Sequence, residues 1–167
     1  VYRVTTEEGA TGRGGPDTSD RFVAKVIRDG KRSEKREKTE AMVRSGIDDP
    51  APADGEPYFA WPAEVVRDAG TDAFLGYLMP YVGGRDAQKF ASARLGWDDG
   101  PPRLGYLTAL NLSIAIASLH AQGHAMRDMH HDNVFVDDGD VALIDCDGFY
   151  VGGRRHNYPS RTYYPRY

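Results

Sequence analysis

Asp128, Asn133 and Asp145 are the residues of this chain whose types and spacing suit chemistry. They share one stretch, Met126–Phe149, which reads MRDMHHDNVFVDDGDVALIDCDGF. Two short β-like runs, Val134–Val136 and Val141–Ile144, flank the acidic turn Asp137–Asp140, a pattern that predicts a β-hairpin. Such a hairpin places Asp128 and Asn133 just before its first strand and Asp145 just after its second. All three oxygen-bearing side chains then leave by the same end. A carboxylate base beside two hard-oxygen metal ligands is what phosphoryl transfer from Mg-ATP requires.

The rest of the chain must position that stretch. Its 167 residues suffice for one domain with a good core or for two small lobes. With 21 Lys and Arg against 25 Asp and Glu, the formal charge of -4 gives no reason to expect nucleic-acid binding. Cys146 is the only cysteine, so no intramolecular disulfide can form and nothing points to an oxidising compartment. The apolar stretches read as far shorter than a membrane span, and no signal peptide is recognisable at the start. A cytoplasmic protein without a membrane segment in this stretch is expected. The chain opens on Val in strand-like VYRV and closes on SRTYYPRY without a helix or cap, so both ends are expected to be cut.

In order, Val1–Thr5 and Arg21–Ile27 read as strands joined by a Gly-rich polar connection. Lys25 shares a face of the second strand with Val23 and Ile27 and is expected either to point inward or to snorkel at an edge. Asp29–Arg44 interleaves Glu34, Glu37 and Glu40 with Lys and Arg and reads as a helix with a solvated, ion-paired face. Ser45–Pro57 is a Pro/Gly/Asp loop, and Tyr58–Val66 and Ala73–Tyr81 read as two strands joined by a turn at Arg67–Asp72. Leu104–Gln122 is the longest helical pattern, with Leu107, Leu110, Ile114, Ala117 and Leu119 at near-helical spacing and Gly123 as its C-terminal cap. Gly83–Gly84 marks a boundary between lobes, which puts one lobe at residues 1–82 and the other at 83–167. His120 and His124 read as helix-end residues favourable to the dipole. His130-His131-Asp132 lacks other His or Cys residues at ligand spacing, so a zinc site is disfavoured.

Strand, strand with Lys25, acidic helix, two strands, Gly-Gly, long helix, then Asp128, Asn133, hairpin and Asp145: this order resembles a eukaryotic-type protein kinase domain. The expected fold is therefore α+β, a kinase-like bilobal arrangement truncated at both ends, with a β-rich first lobe and part of a helical second. VAKVI looks like the kinase strand that carries the ATP lysine, which implies that Lys25 pairs with the α and β phosphates. Glu37, or failing it Glu40, would be its acidic partner. MRDMHHDN is similar to the catalytic loop H-R-D-L-x-x-x-N, which implies Asp128 as base and Asn133 and Asp145 as Mg²⁺ ligands. The resemblance further implies Met79 as gatekeeper, Val82 as backbone partner of adenine, and Ala24 and Phe135 above and below the ring. A narrower likeness, through the Trp-Pro strand, Ile-Asp-x-Asp and the closing YYPRY, is to bacterial kinase-like proteins of tellurium-resistance neighbourhoods and to those fused to helix-hairpin-helix modules.

The departures from the family pattern are informative. GATGRGG at Gly9–Gly15 lies too close to Lys25 to cover phosphates, so the phosphate loop is expected to be missing and the fragment to have little activity. Met126 stands where the family has His, and His130 where Ser/Thr kinases have the Lys that steadies the phosphoryl group. Cys146-Asp147 follows Asp145 in place of Phe-Gly, and Gly148-Phe149 makes Asp147 an alternative metal ligand, with strand register favouring Asp145. Ser160, Thr162, Tyr163 and Tyr164 fall where an activation segment would lie. The functions weighed are an ATP- and Mg²⁺-dependent Ser/Thr protein kinase, a small-molecule phosphotransferase sharing the D-x-H-x-x-N loop of aminoglycoside and choline kinases, and a pseudokinase binding module. The Trp-Pro strand and Tyr-Pro-rich tail favour the first, with a protein as substrate.

Overall fold

A computed structural model describes residues 2–3, 22–53, 55–87 and 102–152. The Gly9–Gly15 connection and the Ser160–Tyr164 tail lie outside the described residues. The chain is α+β, as expected, and divides into two compact units: Val1–Gly46 with Trp61–Tyr81, and Ile47–Ala60 with Val82–Tyr167. Residues 47–60 thus belong with the second unit and not with the strands on either side of them.

The first unit is a four-stranded antiparallel sheet in the order β1 (Tyr2–Arg3), β2 (Phe22–Val26), β4 (Phe74–Pro80), β3 (Glu64–Arg67). Helix α1 (Asp29–Ser45) connects β2 to β3 and packs on β3 and β4. Most of α1 is charged, and its surface carries the pairs Asp29–Arg32, Lys31–Glu34 and Arg36–Glu40. Such exposed pairs contribute little each. What holds the helix is the burial of Thr39 and Met42 together with two tertiary bonds. Trp61 Nε1 donates to the Met42 carbonyl at 3.1 Å, and Arg67 Nη2 reaches Glu40 Oε1 at 2.8 Å. Val23, Ile27, Phe74, Tyr77 and Met79 complete the core. The turn between β3 and β4 closes where Asp68 accepts from Gly70 N, Thr71 N and Thr71 Oγ1, and these bonds hold its carboxyl below the usual range.

The second unit holds helix α2 (Pro102–Ala121) and a three-stranded sheet in the order β5 (Arg85–Asp86), β6 (Val134–Asp137), β7 (Asp140–Leu143). β6 and β7 form the expected hairpin, with Val134 opposite Leu143 and Asp137 opposite Asp140. Asp138 (φ 45) and Gly139 (φ 100) both turn left-handed, as a two-residue hairpin turn demands. Gly139 rests on Leu107 of α2, and Asn111 Nδ2 donates to its carbonyl at 3.1 Å. Residues 47–60 are stapled by one carboxylate: Asp49 accepts from Ala51 N, Tyr58 N and Phe59 N.

Two expectations need correction. Tyr58–Val66 is not a single strand. Only Glu64–Val66 of it enters the sheet, while Phe59 makes a parallel bridge to Leu143. Leu143 N donates to Tyr58 O at 2.8 Å and Ala60 N to Leu143 O at 3.0 Å. Pro62, which has no N–H for a ladder, sits between the two partnerships. Nor are all apolar stretches shorter than a membrane span: Arg103–Ala121 is long and apolar enough to cross one, by length and composition alone. Only 11% of its most apolar 18-residue window is buried. Ala115 and Leu119 face inward, while Tyr106, Leu110 and Ile114 are exposed.

Candidate active site

In the second unit the loop that follows α2 is built by backbone geometry. Gly123 (φ 76) ends the helix, with Gly123 N donating to His120 O at 2.9 Å and His124 N to Leu119 O at 3.0 Å, the paired bonds of a Schellman cap. Ala125 and Tyr150 then exchange two backbone bonds of 2.9 and 2.7 Å, which tie the start of the loop to the segment beyond Asp145. Gly152 N adds a bond to His124 Nδ1 at 3.1 Å. A side chain at position 152 would strike the Gly123 carbonyl, 2.6 Å from where its Cβ would stand. Burial pushes the His124 imidazole pKa down. That corrects the reading of His124 as a charged residue serving the helix dipole: burial favours the neutral ring, whose Nδ1 accepts from the Gly152 amide.

The hairpin brings the expected chemical groups to its open end. Ile144 N donates to Asn133 O at 3.0 Å, so the residues before Asp145 lie beside Asn133. Asn133 Nδ2 donates to the backbone carbonyl of Asp128 at 3.0 Å, which folds the five-residue loop back on itself. Because Nδ2 faces a carbonyl, the amide orientation is settled, and Oδ1, the atom a cation would need, is left outside that bond. Asp128 is exposed, and Asp145 is exposed with φ 60, a left-handed conformation rare for a residue with a side chain. A short 3-10 turn, Cys146–Gly148, follows, closed by Gly148 N to Asp145 O at 2.8 Å. Cys146, Asp147 and Phe149 point into the core, with Asp147 only 4% exposed. Of the two aspartates weighed from the sequence, Asp145 is the one that meets solvent.

Among the described residues no cluster of three or more His, Cys, Asp or Glu side chains could hold a metal ion. Mg²⁺ does not ask for such a cage, since it is held by one or two protein oxygens with substrate phosphates and water completing its shell. The Asn133 Oδ1 and Asp145 carboxylate fit that donor set. Val82 and Phe135, two expected adenine neighbours, line one cleft of about 160 Å³ together with Gly83, Val141 and Ala142 and an acidic rim that includes Glu56 and Asp138.

In the first unit, Lys25 lies opposite Tyr77 in the β2–β4 ladder, half-buried between the buried residues Val23 and Ile27. Its Nζ stands 5.8 Å from the centroid of the Tyr77 ring, a cation–π arrangement, so the lysine turns inward. Ala24 is half-buried, and Met79, opposite Val23, is 9% exposed. Glu40 Oε1 is taken by Arg36 Nε at 2.9 Å and Arg67 Nη2 at 2.8 Å. The Arg36 bond foremost, then Arg67, holds its carboxyl below the usual range. Glu37 is exposed on α1. The His124–Gly152 bond and the Asp49 staple leave only faint signals in the sequence, a Gly at position 152 and an Asp ahead of Pro50.

Comparison with known proteins agrees at a coarse level. No family model matches the chain. It is 25% identical over 99 residues to proteins named protein kinase YegI from Escherichia coli O157:H7 and from Escherichia coli strain K12, covering 56% of this chain and 15% of each relative. A crystal structure of the Legionella pneumophila LegK7 effector kinase aligns with a TM-score of 0.44 at 17% identity, over 78% of this chain and 28% of that one. The chain thus spans about a seventh of the length of the curated relatives it matches. The likeness to YegI supports a protein-kinase-like domain.

Proposed function

We propose that this chain carries part of an ATP- and Mg²⁺-dependent phosphotransferase acting on protein Ser/Thr hydroxyls. Asp128 is the base toward the acceptor hydroxyl, Asn133 and Asp145 hold Mg²⁺, and Lys25 holds the ATP phosphates. The observation that carries this reading is the open end of the β6–β7 hairpin. There the Asn133 amide is tied through Nδ2 to the Asp128 carbonyl, and Asp145 is held exposed in a left-handed turn. Bound Mg²⁺ would neutralise charge on the transferring phosphoryl group. The chain's own part is to hold the backbone that carries the base beside the two ligands, through the Asn133–Asp128 and Ile144–Asn133 bonds. Glu37 is the proposed partner of Lys25, because the Glu40 oxygen is occupied by two arginines. Val82 and Phe135, with Ala24 and Met79, are the proposed adenine contacts, supported for the first two by the cleft they share.

In the full-length protein, Asp128→Ala should abolish phosphate transfer, by about 10³-fold or more, with ATP affinity unchanged. Asp145→Ala should weaken Mg-ATP binding itself. Transfer that survives Asp128→Ala would show that another group is the base. A second reading, small-molecule phosphotransfer, is favoured by the turning of His130 toward Asp128, 3.6 Å away, within an Asp-x-His-x-x-Asn loop. Labelled ATP offered with a generic protein or an aminoglycoside separates the two by which acceptor gains the label.

A further inference from the structure

His130 stands two residues after the proposed base, and its ring is held on one side and faces that base on the other. Its Nδ1 lies 3.2 Å from the backbone nitrogen of Asp132, so the imidazole caps the 3-10 turn His131–Asn133. A backbone N–H can only donate, so Nδ1 must offer its lone pair there. The Asp132 carboxylate is farther from Nδ1, at 3.5 Å. Two hydrogens cannot share the shorter gap to the amide, which leaves Nε2 as the nitrogen that carries the proton. Nε2 faces Asp128 Oδ2 at 3.6 Å. His131 cannot take this place, because its own Nδ1 is engaged by Asp132 Oδ1 at 3.0 Å.

We propose that His130 is a positioning residue for Asp128: the Asp132 amide fixes it as the Nε2–H tautomer, which presents a neutral donor to the base. The inference rests on Asp128 being that base. At 3.6 Å the contact is longer than a formed hydrogen bond. The Asp128 side chain is 67% exposed and free to swing the remaining distance, and bonds of this kind commonly tighten only when substrate is present. A neutral N–H orients one lone pair of the carboxylate toward the acceptor hydroxyl without placing a full cation beside it. The lysine that the family resemblance leads one to expect here would supply that cation.

The ring tautomer is measurable without substrate. In the full-length protein labelled with ¹⁵N-histidine near neutral pH, His130 should show an unprotonated Nδ1 and a protonated Nε2. A proton on Nδ1, alone or together with Nε2, overturns the proposal. Kinetics then separate capping from positioning. His130→Asn keeps an acceptor for the Asp132 amide but falls short of Asp128, and should lower kcat by about 10- to 100-fold with the KM for ATP and the melting temperature unchanged. His130→Gln carries an acceptor and a donor joined through one carbon, as the ring does, and should recover activity to within about fivefold of the native protein, by the same reasoning. An Asn variant as active as the native protein, or a His130→Lys variant that outperforms Gln, overturns the positioning role. Transfer that survives Asp128→Asn would instead remove the base assignment itself, while the tautomer reports on the cap alone.

Discussion

In the second unit, burial lowers the pKa of His124, and its Nδ1 accepts the Gly152 amide. A group whose folded pKa lies below its unfolded value near 6.5 contributes stability that is present above that value and is lost as pH falls through and below it. The melting temperature should therefore decline between about pH 7 and pH 5, and His124→Gln should flatten that part of the profile. The same decline in both proteins would show that other groups set it. The placement of Lys25 and Asp145 is legible in the sequence because strand register sets it, Lys25 by alternation with Val23 and Ile27, and Asp145 by its distance from the β7 run. That of His124 is not, because its partner is 28 residues away and is a backbone amide with no side-chain signature.

At the level of elements, the pairing of β2 with β4 is what points Lys25 inward, and it depends on Gly76. Gly76 pairs with Val26, and a Cβ there would overlap the Lys25 carbonyl and crowd the Val26 Cα at 3.1 Å. Backbone cannot step aside as a flexible side chain can. Gly76→Ala should cost about 2–3 kcal/mol and displace β2, seen as a lowered melting temperature. Gly30→Ala, in α1 with nothing within 4 Å of the added methyl, should be neutral or stabilising by up to about 1 kcal/mol. Helices α1 and α2 were legible within a residue or two, because a long pattern with a cap at its end is a local property. Tyr58–Trp61 reads as part of one strand because an apolar, aromatic run looks the same whether its partner is the nearest strand or Leu143 some eighty residues on. The exposed stripe Tyr106–Leu110–Ile114 shows the same limit: periodicity names a helix, and only the packing of Ala115 and Leu119 shows which side is inward.

At the scale of the whole molecule, the second unit is discontinuous in sequence. Asp48, Asp49 and Tyr58–Ala60 belong to it although the strands of the first unit intervene before Val82. Their bonds are structural: Gln122 Nε2 donates to Asp48 O at 2.8 Å, and Leu143 is held on both its N–H and its C=O. Residues 83–167 expressed by themselves leave those buried backbone groups of Leu143 unpaired, at about 1–3 kcal/mol each. That fragment should show no cooperative melting transition, and a peptide of residues 47–60 should restore part of one. A sharp transition in the fragment alone would mean that the bridge through Phe59 is dispensable. No composition change announces which unit a loop packs on, so the membership of residues 47–60 is not legible in the sequence.

Asp145 also bears on what natural selection tolerates. Its left-handed backbone is one that glycine adopts freely, and so is that of Asp138 in the hairpin turn. Replacing either by glycine relieves up to about 1 kcal/mol of strain, offset in part by the extra freedom glycine gives the unfolded chain. At Asp138 the exchange should be silent for catalysis. At Asp145 it should remove the Mg-ATP binding proposed for this carboxylate, a loss that nucleotide titration reads separately from any change in the thermal melt.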